Sequence, residues 1–278
     1  MATPTLSRHT LDGALGPILV DVRSTSRKTS QPAVLIMHGF KGFKDYAFLP
    51  VIAERLARAG FTAITFSVSG AGVDEHGQFT EPERFARNTY TREMGDIERV
   101  IDALNAGTLD VVPPTSIGMI GHSRGGGVAL CVARETPAIS ALVLWAAIAT
   151  IRRYPDAIVE LWRKRGRLEI ENVRTQQLLP MDYEIVEDVY ANEDRFDIRK
   201  AAATLDRPWL LIHGTDDETV PLAEGRELAA LATAPQFESL FIEGGTHTFG
   251  ARHPWAGHTP ETEQLFGATA GFLARHLR

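Results

Sequence analysis

Runs rich in apolar residues alternate with amphipathic stretches along most of this chain. Runs occupy 33–37, 61–66, 116–120, 141–145, 209–212 and 237–242. A strand wetted on one face alternates apolar and polar side chains, whereas an unbroken run suits a strand buried on both faces of a parallel sheet. Between the runs the period changes. Residues 48–59 put Leu49, Ile52, Ala53 and Leu56 on one stripe, and 88–104 do the same with Met94, Ile97, Val100, Ile101 and Leu104, the spacing of half-buried helices. Further helices are expected over 128–134, 222–231 and 261–276. Strand and helix in alternation predict an α/β fold: a mostly parallel central sheet, right-handed crossovers, helices on both faces. The first thirty residues alternate instead and carry Gly13, Gly16 and Pro17, so they read as an antiparallel entry pair near 5–10 and 18–23.

One segment breaks the rhythm. More than fifty residues separate the runs ending at Trp145 and starting at Trp209, with arginines and acids mixed among Tyr154, Tyr183, Tyr190 and Phe196. That is too long for a bare loop. The expectation is a single domain over 1–278 with a lid or cap inserted at 150–205, carrying helices and a small hairpin around 168–179.

Chemistry concentrates where the runs end. Gly121-His122-Ser123-Arg124-Gly125 follows one run and precedes a helix. A serine on so tight a turn needs neighbours without side chains, and its hydroxyl then stands clear at the carboxyl end of the sheet, above a helix N-terminus. An incidental serine in a Gly-rich turn would spell the same motif; the strand–turn–helix setting argues against it. His213-Gly-Thr-Asp-Asp-Glu-Thr-Val-Pro221 follows another run, and either Asp216 or Asp217 is placed to orient an imidazole, although aspartates also serve turns. Gly244-Gly245-Thr246-His247 follows the last run, so among nine histidines His247 is the one positioned to reach the serine. His38-Gly39-Phe40 follows the first buried run, where the N–H of Phe40 can join that of Arg124 in holding an oxyanion. His38 reads as packing beneath that loop.

These four segments together resemble the α/β-hydrolase family, over almost the whole chain from about Ala33. The likeness is greatest to small serine esterases and to the dienelactone-hydrolase-like and serine-aminopeptidase-like branches. The resemblance implies the α/β-hydrolase fold, a Ser123–His247–Asp217 triad, and an oxyanion hole from the N–H groups of Phe40 and Arg124. The family's acid lies four residues after the loop histidine and four before the proline, which selects Asp217 over Asp216. Two departures stand out. Dienelactone hydrolases use a cysteine nucleophile; here the position holds Ser123 and the lone Cys131 lies a helix away. Many relatives carry D-x-x-G-x-G after the second buried run, where this chain has Ser67-Val-Ser-Gly-Ala-Gly72. The implied activity is hydrolysis of small carboxylic esters through an acyl-enzyme. The same residues also serve short-peptide and thioester hydrolysis and acyl transfer.

Composition narrows the partners. A net charge of −6 gives no general attraction to nucleic acid or anionic lipid. One cysteine rules out an internal disulfide and a Cys-rich metal site. The chemistry calls for a small-molecule ester and for no cofactor or metal; His253 and His258 have a weak metal-ligand spacing. Residues 139–151 form the most apolar stretch, too short for a bilayer. The start shows no basic stretch followed by an apolar run, so a cytoplasmic location is expected. A homodimer is left open. Lys41, Phe43, Tyr46, Ser69, Arg124, Trp162 and Trp255 are candidate pocket-lining residues, the tail 248–258 is expected to wall the pocket, and Arg163-Lys164-Arg165 reads as a solvated helix face.

Overall fold

The computed structural model describes residues 3–277. The entry pair is present as β1 (Thr5–Asp12) and β2 (Pro17–Ser24), antiparallel to each other. β3 (Ala33–Met37), β4 (Thr62–Ser67), β5 (Ile117–His122) and β6 (Ile139–Trp145) follow. After a hairpin of β7 (Arg167–Asn172) and β8 (Gln177–Asp182) come β9 (Trp209–Gly214) and β10 (Phe237–Ile242). Eight strands form one sheet in the order β1-β2-β4-β3-β5-β6-β9-β10, with β7 and β8 pairing separately. From β4 to β10 every neighbouring pair is parallel. As the apolar runs require, β3, β4, β5 and β9 are buried at every position, but β10, expected to be buried on both faces, lies at the sheet edge and exposes Glu238 and Ser239.

The helices are α1 (Leu49–Arg58), α2 (Pro82–Ala86), α3 (Tyr90–Asn105), α4 (Arg124–Glu135), α5 (Asp156–Arg165), α6 (Glu184–Ala191), α7 (Ile198–Thr204), α8 (Leu222–Leu231) and α9 (Pro260–His276). The stripe on α1 packs with α9 on one face of the sheet, around Phe48, Trp145, Phe266 and Phe272. The stripe on α3 packs with α4 on the other. Trp145 is fully buried and satisfies its indole N–H on Thr269 Oγ1 at 3.0 Å. Truncating a side chain of this size in such a core costs on the order of 3–5 kcal/mol.

The register sets the ends of the inner strands level. Met37 pairs Gly121, His122 pairs Trp145, Trp145 pairs Ile212, and Gly214 pairs Ile242. The loops after β3, β5, β9 and β10 therefore emerge along one edge, as parallel strands dictate.

Between β6 and β9 lie α5, the β7–β8 hairpin, α6 and α7. Trp162 of α5 is buried and donates its indole N–H to Met181 O at 2.8 Å. Arg167 of β7 reaches Glu83 at 2.8 Å, and Asp188 of α6 accepts from the Thr91 N–H at 3.0 Å. Arg174, at the hairpin turn, donates to Lys41 O at 2.6 Å, and Lys41 Nζ donates to Glu171 O at 3.1 Å. The hairpin thus sits across the loop that follows β3.

Candidate active site

The turn from β5 into α4 is forced by its glycines. Ser123 has φ 58° and ψ −123°, a backbone conformation that a residue with a side chain adopts only under constraint. The constraint is close packing. A Cβ on Gly121 would stand 2.4 Å from Gly125 O, and one on Gly125 would stand 2.2 Å from His38 O. The Ser123 N–H donates to Trp145 O at 2.8 Å, and its carbonyl accepts from Gly126 at 3.0 Å. The hydroxyl is left at the sheet edge, 8% exposed.

The imidazole of His247 meets that hydroxyl: Nε2 and Ser123 Oγ are 3.0 Å apart. On its other side Nδ1 lies 2.8 Å from Asp217 Oδ2 and 3.0 Å from Oδ1. An acceptor on Nδ1 fixes the proton there and leaves Nε2 free to take another. The Asp217 side chain is wholly buried, and its Oδ1 accepts from the N–H groups of Thr219 and Val220 at 2.9 and 2.8 Å. His213 Nε2 donates to Val220 O at 2.9 Å and lies 3.3 Å from Asp217 Oδ2. Burial opposes the Asp217 charge, but the hydrogen bonds from His213 and His247 outweigh it and hold the carboxyl well below the usual carboxylate range. Asp216 is exposed, and among the described residues its side chain takes only the Thr215 hydroxyl, at 3.1 Å.

Behind Ser123 the segment His38-Gly39-Phe40 turns away from β3. Among the described residues no backbone carbonyl accepts from the N–H of Phe40 or of Arg124; the latter opens α4, where the first N–H groups have no partner within the helix. His38 packs beneath this loop as expected, donating from Nδ1 to Gly39 O at 2.8 Å and accepting from the Val68 N–H at 3.3 Å. Burial drives its pKa down to about 4. Where relatives carry the aspartate, Ser67 is buried and accepts from the Lys44 N–H at 2.9 Å, tying down the same loop.

Two hollows flank Ser123 and Phe40. The larger, about 300 Å³, lies under the insertion and is walled by Ile148, Ile151, Met181, Ile185 and Val220, with Arg124, Arg153, Tyr90 and Tyr154 contributing polar groups. The smaller, about 70 Å³, is lined by His247, Thr248, Tyr46 and Arg174. Arg124 is buried, with Nη2 3.0 Å from Glu93 Oε1 and its guanidinium 4.2 Å from the Tyr90 ring centre. Of these residues, Tyr90, Arg153 and Tyr154 carry no local sequence signal; only the folded arrangement of α3 and the insertion gathers them.

Other expectations fall out differently. The tail 248–258 contributes Thr248 to the smaller hollow, but Phe249 is buried in the core and Trp255 packs on Phe266 of α9. Phe43 and Ser69 are buried away from both hollows, whereas Trp162 lines a separate hollow within the insertion. Arg163 and Lys164 are exposed and pair with Glu160 on their own helix. Burial pushes the Cys131 thiol up to about 12, far from a reactive thiolate. His253 accepts from the Ala47 N–H at 3.1 Å, and His258 pairs with Glu263. Among the described residues no three His, Cys, Asp or Glu side chains are grouped to hold a metal, and no helix is long and apolar enough to cross a membrane.

Residues 32–183 match the family model described as the alpha/beta hydrolase fold. The chain is 28% identical, over 84% of its own length and 92% of the other, to the pimeloyl-[acyl-carrier protein] methyl ester esterase of Xanthomonas campestris. It is 25% identical, over 89% of its length, to the 2,6-dihydropseudooxynicotine hydrolase of Paenarthrobacter nicotinovorans, of which it spans 60%. The dienelactone hydrolase of Anabaena variabilis superposes with a TM-score of 0.67, covering 99% of this chain and 100% of that one at 16% identity. The level strand ends, the strained serine turn and the family match over more than half of the sequence agree: the chain belongs to the α/β-hydrolase family, with an esterase among its relatives.

Proposed function

We propose that this protein is a serine carboxylesterase that cleaves small carboxylic esters through an acyl-enzyme. The observation that carries the reading is the hydrogen-bonded line from Ser123 Oγ through His247 to the buried carboxylate of Asp217. In it Ser123 Oγ attacks the ester carbonyl carbon while its proton passes to His247 Nε2. The carbonyl oxygen takes up the negative charge against the N–H groups of Phe40 and Arg124. The bond from carbonyl carbon to alcohol oxygen then breaks as His247 returns the proton to that oxygen. Water, deprotonated by the same nitrogen, attacks the acyl-enzyme; the acid leaves and Ser123 regains its proton. Asp217 holds the ring tautomer and stabilises the imidazolium throughout. No step draws on a cofactor.

Hydrolysis of p-nitrophenyl acetate and butyrate, beside a thioester and an aminoacyl amide of matched acyl chain, tests the reading. Esters are expected to be turned over fastest, and Ser123→Ala to lose that activity; wild-type rates retained by Ser123→Ala would overturn it.

A further inference from the structure

The two hollows differ in size and in chemistry, and on the esterase reading their assignment to the two halves of the substrate is fixed. His247 must return a proton to the alcohol oxygen, so the alcohol lies on the side that His247 lines. That side holds only about 70 Å³, room for about two water-sized groups. The acyl chain then occupies the hollow of about 300 Å³, which His247 does not line.

That larger hollow is apolar along its walls and rich in donors. Its lining includes two arginines and two tyrosines and neither an aspartate nor a glutamate. Arg124 is 6% exposed, and among the described residues its buried Nε has no hydrogen-bond partner. The guanidinium is held between the rings of Tyr90 and Phe40, 4.2 and 5.2 Å from their centres, and by Glu93. Its planar fork is therefore oriented before any ligand arrives, with a donor to spare. Arg153 gives a single nitrogen, Nη1, to Glu224 at 3.0 Å. A purely aliphatic acyl chain would displace water from beside these two guanidinium groups and offer them no acceptor, which a site penalises. A carboxylate supplies two charged acceptor oxygens and suits the fork.

We propose that the substrate is the monoester of a short dicarboxylic acid with a small alcohol, the free carboxylate held by Arg124 and Arg153 and the alcohol seated beside His247. Water cleaves the ester to the diacid and the alcohol, with no other reactant.

Acid release by pH-stat tests this with paired methyl esters: monomethyl glutarate against methyl pentanoate, which replaces the free carboxylate by a methyl group. A second pair, 3-acetoxypropanoate against propyl acetate, puts the acid on the alcohol side. The expected result is a kcat/KM for monomethyl glutarate at least about tenfold above methyl pentanoate, with no such advantage in the second pair. Arg153→Met and Arg124→Lys are each expected to lower the glutarate-to-pentanoate ratio by about tenfold. Lysine keeps a charge opposite buried Glu93, and Glu224, without Arg153, keeps the Ala149 N–H at 2.7 Å, so neither variant strips a buried acid of every partner. Equal or poorer hydrolysis of monomethyl glutarate, in a protein whose methyl pentanoate activity vanishes in Ser123→Ala, overturns this proposal and leaves the esterase reading intact. So does a preference for 3-acetoxypropanoate, or a ratio unmoved in both arginine variants. Absence of Ser123-dependent hydrolysis of every ester overturns both.

Discussion

His122 donates from Nε2 to the backbone carbonyl of His247 at 3.0 Å, and the two rings lie 4.8 Å apart. The residue before the serine thus holds the loop that carries the imidazole. Serine and histidine are set in register by a direct tie between their own chain segments, although 124 positions separate them. Replacing this donor by an aliphatic group, His122→Leu, is expected to lower kcat by about tenfold or more through a misplaced imidazole. His122→Asn keeps a donor and should recover part of the loss. Steady-state kinetics of both variants on one ester check this; equal kcat in His122→Leu and wild type would remove His122 from the positioning of His247.

Removing the proposed reacting groups should have graded effects. Ser123→Ala and His247→Ala are expected to cost on the order of 10⁵–10⁶ in kcat, and Asp217→Asn on the order of 10⁴, because the last leaves serine and imidazole in place and disturbs the tautomer. Combining Ser123→Ala with His247→Ala should cost little more than either alone. Asp216→Asn should leave kcat within about twofold, because that side chain is exposed and bonded only to Thr215.

The glycines of the serine turn make a stability prediction. A methyl group at 125 would press on His38 O at 2.2 Å, and one at 121 on Gly125 O at 2.4 Å. Both contacts are backbone, which yields little. Gly121→Ala and Gly125→Ala should each destabilise the fold by about 1–3 kcal/mol, read as a lower urea midpoint at unchanged slope. Gly267→Ala on α9, whose Cβ meets nothing within 4 Å, is the control and should be neutral or slightly stabilising.

Stability should fall with acidity over a defined window. Burial lowers His38 to about 4 and His122 to about 3 from an ordinary 6.5. Below pH 6.5 the unfolded chain therefore binds protons that the folded chain refuses, and stability drops by roughly 1 kcal/mol per pH unit per histidine until the folded values are reached. Asp217 acts in the same direction at lower pH. Its depressed carboxyl contributes stability above the ordinary 3.8, and that contribution is lost as pH falls toward the folded value. Denaturant titrations from pH 7 to 4 should show the decline, and His38→Gln should flatten it. A flat profile in the wild type would contradict the buried, neutral state of both rings.

Arg174 reaches from the β7–β8 hairpin to Lys41 O and over the Tyr46 ring at 4.6 Å, closing one side of the small hollow. Arg174→Ala should widen it. The ratio of kcat/KM for benzyl acetate over methyl acetate is expected to rise by about threefold or more; an unchanged ratio would show that the hairpin does not limit the alcohol.

How much of this was legible beforehand follows the physics of each feature. Strands buried on both faces announce themselves as apolar runs, and the loops that bear Ser123, Asp217 and His247 are marked by the glycines their tight turns demand. The sequence pattern predicts α4 from 128, and the helix begins at Arg124, because Gly125, Gly126 and Gly127 are poor helix formers that close packing requires here. Asp216 and Asp217 are the same residue type side by side; residue type alone leaves them equal, the spacing of the resembled family picks Asp217, and in the structure Asp217 is the one that is buried, takes two amide donors and meets His247. The larger hollow as a whole has no local signature. Tyr90, Arg124, Arg153 and Tyr154 come from α3, α4 and the start of the insertion, and their convergence is a tertiary fact. The single turn α2 was hidden for the same reason: its helical form rests on packing rather than on periodicity.

The most direct test of the account is where an acylating probe attaches. A fluorophosphonate, followed by peptide mass mapping, should label Ser123 alone in the wild type, at a rate that falls steeply in His247→Ala and with no label in Ser123→Ala. An enzyme that hydrolyses esters while Ser123 stays unlabelled, or that labels equally fast without His247, would contradict the central claim.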